Sequence, residues 1–207
     1  MNMTSIEYAD YSWNPITGCR HGCGYCYARK MVNRFGHYGG SFEPQLHKGK
    51  LDDPAKRKKP GVVFVCDMGD IFSPGVRQEW RDQVMAAADL APWHTYLWLT
   101  KNPQYTEAWL RPNWWLGATI TGPEDAYKRE IAVGGNVWYS YEPLLGIPDS
   151  HDTWEAKQIV IGRATNSSLP FAPAWAMEII KRYPRAAAYV KGNGAWDGAP
   201  KDLAWNK

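Results

Sequence analysis

"VVFVCDMGDIFSPGVRQEWRDQVMAAADLAPWHTYLWLT", residues 62–100, holds the reading that decides the fold. "VVFVC" at 62–66 is a short β-branched and apolar run entered through Pro60 and Gly61, the pattern of a buried strand. "GVRQEWRDQVMAAADLAP" at 75–92 sets Trp80, Val84, Ala87 and Ala88 at helical spacing and stops at Pro92. "TYLWLT" at 95–100 is a strand again. Strand, helix and strand in sequence make the unit of a parallel sheet.

The alternation continues toward the C-terminus. "PQYTEAWL" opens with Pro103 at a first helical position, "WWLGATI" at 114–120 is a strand, and "PEDAYKREIAV" is helical. "NVWYSY" at 136–141 and "QIVIG" at 158–162 are strands, "APAWAMEIIKRYP" is a helix ending before Pro184, and "AAAYVKG" at 186–192 closes the series. Each strand runs into polar or small residues. In a parallel α/β barrel those C-terminal ends rise to one face, which carries the active site. Asp67, Asp70, Lys101, Thr119, Ser140, Glu142, Arg163 and Lys191 would then ring one mouth. A doubly wound sheet is the other fit, but no Gly-rich dinucleotide fingerprint follows the first clear strand. The expectation is a single α/β domain over 1–207, a partial (β/α)6-like TIM-type barrel with parallel strands.

Composition sets the outer bounds. The chain has 207 residues and a formal net charge of +3, which neither demands nor excludes a nucleic-acid partner. No apolar run is long enough for a bilayer and no leader pattern opens the chain, so the expectation is a cytoplasmic protein. Tryptophan and tyrosine number 12 each. Such rings fill cores, and they also line grooves where bases stack. The basic run "KGKLDDPAKRKKP" reads as a solvated connection.

Upstream lies "WNPITGCRHGCGYCYARKMVNRFG", with three of the four cysteines, Cys19, Cys23 and Cys26, in a loop over 18–28 that leads into a helical run. Three crowded cysteines and a distant Cys66 pair badly as disulfides, so local metal ligation is the better account. Zinc asks for four ligands, and His21, His37 or His47 would have to complete a three-cysteine set. Three thiolates would also hold three irons of a cubane and leave the fourth without a protein ligand.

C-x3-C-x2-C with Tyr25 just before the last cysteine resembles the cluster loop of the radical S-adenosylmethionine enzymes. In order, "YSWNPITGC", "CYA", "VFVCDMGDIF", "LTKNP", "WWLGATIT", "SYEPLLG" and "IVIG" resemble the blocks of a phage- and prophage-borne family of unknown function. That family is itself similar to radical S-adenosylmethionine enzymes and distantly to spore photoproduct lyase. The resemblance implies a [4Fe–4S] cluster on Cys19, Cys23 and Cys26, with S-adenosylmethionine on the open iron. Reductive cleavage would give a 5′-deoxyadenosyl radical that abstracts hydrogen from a substrate. A flavodoxin- or ferredoxin-type reductant is implied, and for a phage-encoded chain the compartment is the host cytoplasm.

Residue by residue, the resemblance puts Tyr25 near the adenine and Asp67, Met68, Gly69 and Asp70 against the amino group of the methionine part. It puts Ser140 and Glu142 at the ribose or the substrate, and Gly162 and Arg163 among the cofactor contacts. Thr100 and Lys101 match a Thr-Lys pair suited to a carboxylate or phosphate. Bland readings stand beside these: Asp70 as a turn cap, Glu142 in a structural ion pair, Lys101 as a surface residue. Candidate catalytic residues are Cys66, Lys101 and Glu142.

Two departures stand out. Where the family carries a Gly-Gly-Glu-like segment, this chain has "GRATN" at 162–166, so a carboxylate is exchanged for a guanidinium that prefers anions. Cys66 is not a family cysteine. It reads as a buried small hydrophobe, as a hydrogen-atom donor at the mouth like the single cysteine of spore photoproduct lyase, or as a fourth cluster ligand. The substrate class expected is a nucleobase, nucleotide or nucleic acid. The alternatives are a non-catalytic zinc- or iron–sulfur-stabilised nucleic-acid-binding module, and a family member that binds cluster and cofactor without turnover.

Overall fold

The structure is a computed structural model describing residues 1–36, 41–103, 111–125, 135–148, 156–165 and 168–206. It is mixed α/β with mostly parallel strands, in two compact units, Met1–Thr100 and Lys101–Lys207. Most of the two helices expected over 103–110 and 123–133 lies outside the described residues.

In the first unit, β1 (Asn2–Met3) pairs antiparallel with β2 (Tyr11–Trp13). β2 pairs in parallel with β5 (Val62–Val65), and β5 with β6 (Thr95–Thr100), aligning Trp13, Val65 and Trp98 in one row. Between β2 and β5 run β3 (Ile16–Thr17) and β4 (Gln45–Leu46), an antiparallel pair, with α1 (Tyr27–Phe35) between them. The basic run is more ordered than a plain connection: α2 (Asp53–Lys56) forms inside it, with Pro54 in its first turn. Between β5 and β6 lies α3 (Gln78–Asp89), which buries Val84, Ala87 and Ala88 and leaves Trp80 half-buried. The strands form because β-branched and aromatic residues fit a pleated, buried surface. Trp13, Tyr96, Trp98, Ile71 and Phe72 are each at most 1% exposed and build the core.

In the second unit β7 (Trp114–Thr119), β8 (Asn136–Tyr141), β9 (Gln158–Ile161) and β10 (Ala187–Val190) pair in parallel, in that order. Between β9 and β10 comes α4 (Pro173–Arg182), opened by Pro173 and closed with Lys181 and Arg182 at its negative end. Trp138, Tyr139, Tyr141, Ile159 and Val160 are almost fully buried, and the Tyr141 and Tyr183 hydroxyls meet at 2.8 Å. Among the buried aromatic rings are Trp13, Trp98, Trp114, Trp115, Trp138 and Trp205, so much of the tryptophan excess is core. Among the described residues no helix is long and apolar enough to cross a membrane.

Candidate functional site

The cysteine loop begins where β2 ends. Asn14 and Pro15 turn the chain into β3, and Gly18 leads it into Cys19. Gly18 sits at φ +87°, and an added Cβ would stand 2.2 Å from the Glu43 carbonyl oxygen. Only glycine accepts both that dihedral and that approach. Cys19 N donates to the Phe42 carbonyl at 2.9 Å, and Arg29 Nη2 donates to the Cys19 carbonyl at 2.8 Å. At the far end Cys26 is the N-cap of α1, its Sγ accepting from Arg29 N at 3.4 Å. Capping by a side chain satisfies one of the free N–H groups of the first turn. Gly36, at φ 64°, ends the helix in the left-handed conformation.

The segment "CDMGD" is hydrogen-bonded to this loop across about fifty residues of sequence. Gly18 N donates to the Met68 carbonyl at 2.9 Å, and Gly18 and Gly69 form a parallel bridge. The Asn14 side chain clamps the same segment, its Nδ2 donating to Asp67 Oδ1 and its Oδ1 accepting from Met68 N at 3.0 Å. Tyr27 Oη donates to the Asp67 carbonyl at 2.7 Å, and Arg20 N donates to Ser73 Oγ at 2.9 Å. Beneath the loop Cys19, Cys26 and Met68 pack on an apolar cluster of Ala28, Val32 and Phe42. Asp67, Met68 and Gly69 therefore hold the cysteine loop in place, a role their resemblance to a cofactor-binding segment did not foretell. Asn14 and Tyr27 were missed as site residues; the signal in the sequence was the "WNP" and "CYA" blocks.

Asp70 is 6% exposed and works as a brace. Its Oδ1 accepts from Phe72 N at 2.9 Å, and both carboxylate oxygens accept from Thr100 Oγ1 at 2.8 and 3.0 Å. The turn-capping reading of Asp70 thus describes its local geometry, and Thr100 is committed to that carboxylate. Lys101 follows Thr100 and is half-buried.

Electrostatics separate the four thiols. Cys19 is pushed up from the ordinary cysteine range, chiefly by burial and then by the Asp70 carboxylate, while the His21 N–H and Ser73 hydroxyl pull it down. Asp67 is also pushed up by burial, against the Asn14 and Tyr27 hydrogen bonds. Cys66 lies one residue past β5, at φ 59° and 3% exposed, so it has left the strand expected over 62–66. Burial raises its thiol to about 12, with the Ile16 backbone hydrogen bond opposing. Cys19, Cys23 and Cys26 are all partly exposed. In the native metal-free protein, a thiol reagent at pH 8 is expected to label these three ahead of Cys66, which reacts only on unfolding. Mass spectrometry of the labelled peptides checks this.

The donor set suits a thiolate-bound metal group. Three partly exposed sulfurs stand on one short loop, with backbone N–H groups of His21 and Arg29 already directed at two of them. Among the described residues no three His, Cys, Asp or Glu side chains are gathered in ligating range, so binding would have to draw the three sulfurs together. His47 is held by Thr17, Oγ1 to Nε2 at 2.7 Å, and His37 lies outside the described residues.

In the second unit a separate polar group stands past the ends of β8, β9 and β10. Glu142 Oε1 accepts from Lys191 Nζ at 2.5 Å, the side chains 19% and 14% exposed. This is the ion pair that the bland reading of Glu142 described. Gly162 lies between them, and a Cβ there would be 3.0 Å from Lys191 and 3.4 Å from Glu142. Within β8 the Ser140 Oγ is buried and has no hydrogen-bond partner among the described residues. Asn193 binds the backbone of Arg163 at both N and O, and the Arg163 side chain is exposed. Asn193 was not foreseen. Lys191→Met is expected to lower stability by about 2 kcal/mol, the worth of a part-buried charged hydrogen bond, read from denaturant unfolding.

No curated protein and no solved structure matches the chain. One family model, described as "Protein of unknown function (DUF5131)", matches residues 3–200. With nearly the whole of its length covered, the chain belongs to that family.

Proposed function

We propose that this chain is an enzyme of the radical S-adenosylmethionine class, with Cys19, Cys23 and Cys26 as the protein ligands of a [4Fe–4S] cluster. The single observation that carries the reading is the hydrogen-bonded seam between the cysteine loop after β2 and the "DMGD" segment after the adjacent parallel strand β5. It joins the two blocks that the resemblance assigns to cluster and cofactor. When bound, such a cluster and S-adenosylmethionine supply a radical able to take hydrogen from a substrate.

The chain's own residues do the rest. Gly18, Arg29 and the Cys26 cap fix the course of the loop. Tyr25 offers a ring for the adenine, and Asp67 a carboxylate near the methionine part. Met68 and the apolar cluster of Ala28, Val32 and Phe42 support the loop from beneath. Cys66 keeps its proton at neutral pH, which suits hydrogen-atom donation and does not suit metal ligation. In the second unit Ser140, Glu142, Gly162, Arg163 and Lys101 are assigned to cofactor or substrate, with Lys191 orienting Glu142. The fold this reading requires is a partial (β/α)6 TIM-type barrel. Its setting is the cytoplasm, with a flavodoxin- or ferredoxin-type reductant. The test is product analysis: reduced, reconstituted protein should convert S-adenosylmethionine to 5′-deoxyadenosine and methionine. Absence of both products from fully reconstituted protein overturns the reading.

A further inference from the structure

The helix that follows the cysteine loop presents an unusual outer face. α1 is nine residues, "YARKMVNRF", with no acidic residue. Ala28 and Val32 face the core. Tyr27, Met31 and Phe35 recur every four residues on a stripe beside that buried face and are 42%, 39% and 57% exposed. Lys30 and Arg34, also exposed, fall on the same side, each three residues after a ring or thioether. The Arg34 guanidinium lies 5.1 Å over the Phe35 ring. Large apolar groups exposed on one stripe mark a contact surface, and these are interleaved with cations.

We propose that this face of α1 binds single-stranded nucleic acid, with phosphates on Lys30 and Arg34 and unstacked bases on Tyr27 and Phe35. Three features choose that occupant. The face is uniformly positive, so its partner is an anion. The rings stand about 12 Å apart along the helix, at 1.5 Å per residue, with the cations between them. Flat rings alternating with cations are the surface on which successive bases and phosphates settle, whereas a duplex keeps its base faces hidden. A helix of nine residues is short for a membrane anchor. The inference deepens the reading above: it rests on that reading only in calling the polymer a substrate, since Tyr27 and the cap Cys26 join this face to the cysteine loop.

The experiment is fluorescence anisotropy of the full chain with a labelled mixed-sequence single-stranded oligonucleotide, as DNA and as RNA, over a range of salt. Phe35→Ala is expected to weaken binding roughly 5- to 100-fold, the effect of losing one stacked base. Lys30→Glu with Arg34→Glu is expected to flatten the salt slope by about 1.4, two phosphate contacts at about 0.7 each. Circular dichroism establishes that the variants are folded. A Lys58→Glu, Lys59→Glu variant tests the competing basic run, where Lys58 lies over Trp93. Affinity that ignores the α1 variants, or that follows the Lys58 and Lys59 variant instead, overturns the proposal. So does equal affinity for poly-glutamate, which would mean an acidic protein surface, or preference for phosphatidylserine vesicles, which would mean a membrane. Binding without S-adenosylmethionine cleavage would remove the enzymatic reading and leave this surface. Cleavage without binding would remove the surface alone.

Discussion

Cys19→Ala is expected to leave the protein unable to assemble a cluster, with bound iron and the visible charge-transfer absorbance falling to background. Cys66→Ala, reconstituted alongside, should keep both. The physical difference lies in position and ionisation. Metal ligands must be thiolates. Cys19, Cys23 and Cys26 are partly exposed on one loop, where a metal can reach them. Cys66 is buried, displaced to the end of β5, and holds its proton up to about 12. Two remaining loop cysteines leave a cubane short of a ligand, and Cys66 is poorly placed to replace it. Equal loss in both variants would contradict the three-ligand assignment and point to a closed, four-cysteine cluster suited to electron transfer.

Gly18→Ala is expected to cost more than about 3 kcal/mol of stability, or to leave the loop misplaced so that reconstitution fails. The left-handed dihedral alone carries a penalty of roughly 1 kcal/mol for a residue with a Cβ. The larger cost is steric. The new methyl would meet the Glu43 carbonyl oxygen at 2.2 Å, its carbon at 2.5 Å and the Phe42 carbonyl oxygen at 2.8 Å. These are backbone atoms that no rotamer change relieves. The chain at 42–43 would have to retreat, breaking the Cys19 N to Phe42 bond and the Gly18–Met68 seam with it. Denaturant unfolding reads the stability and iron content reads the loop. Unchanged values for both would show that the seam is not what holds the cysteines.

Much of the fold is legible in short runs whose chemistry is one-sided. "TYLWLT" and "NVWYSY" coincide with β6 and β8 because β-branched and aromatic residues dominate them. α4 is framed by Pro173 and Pro184, which punctuate the chain in any setting. β2 was missed because "YSW" is three residues long and is a strand only through its pairing with Val63, Phe64 and Val65. The hairpin of β3 and β4 joins residues nearly thirty apart, which local pattern does not reveal. The site divides in the same way. Cysteine spacing speaks for itself, since ligation needs sulfurs close in sequence. The seam does not, because Asn14, Tyr27 and Gly18 act on Asp67–Gly69 through contacts that exist only in the folded chain. Cys66 read as a strand residue because its neighbours are β-formers; its left-handed backbone is set by the turn into "DMGD".

The most direct test of an open, three-thiolate cluster is electron paramagnetic resonance on anaerobically reconstituted, reduced protein, before and after S-adenosylmethionine is added. The account expects a reduced [4Fe–4S] signal that changes on addition, with 5′-deoxyadenosine in the same tube. A signal that never forms, or one that ignores S-adenosylmethionine, would contradict it and leave a metal-stabilised binding protein.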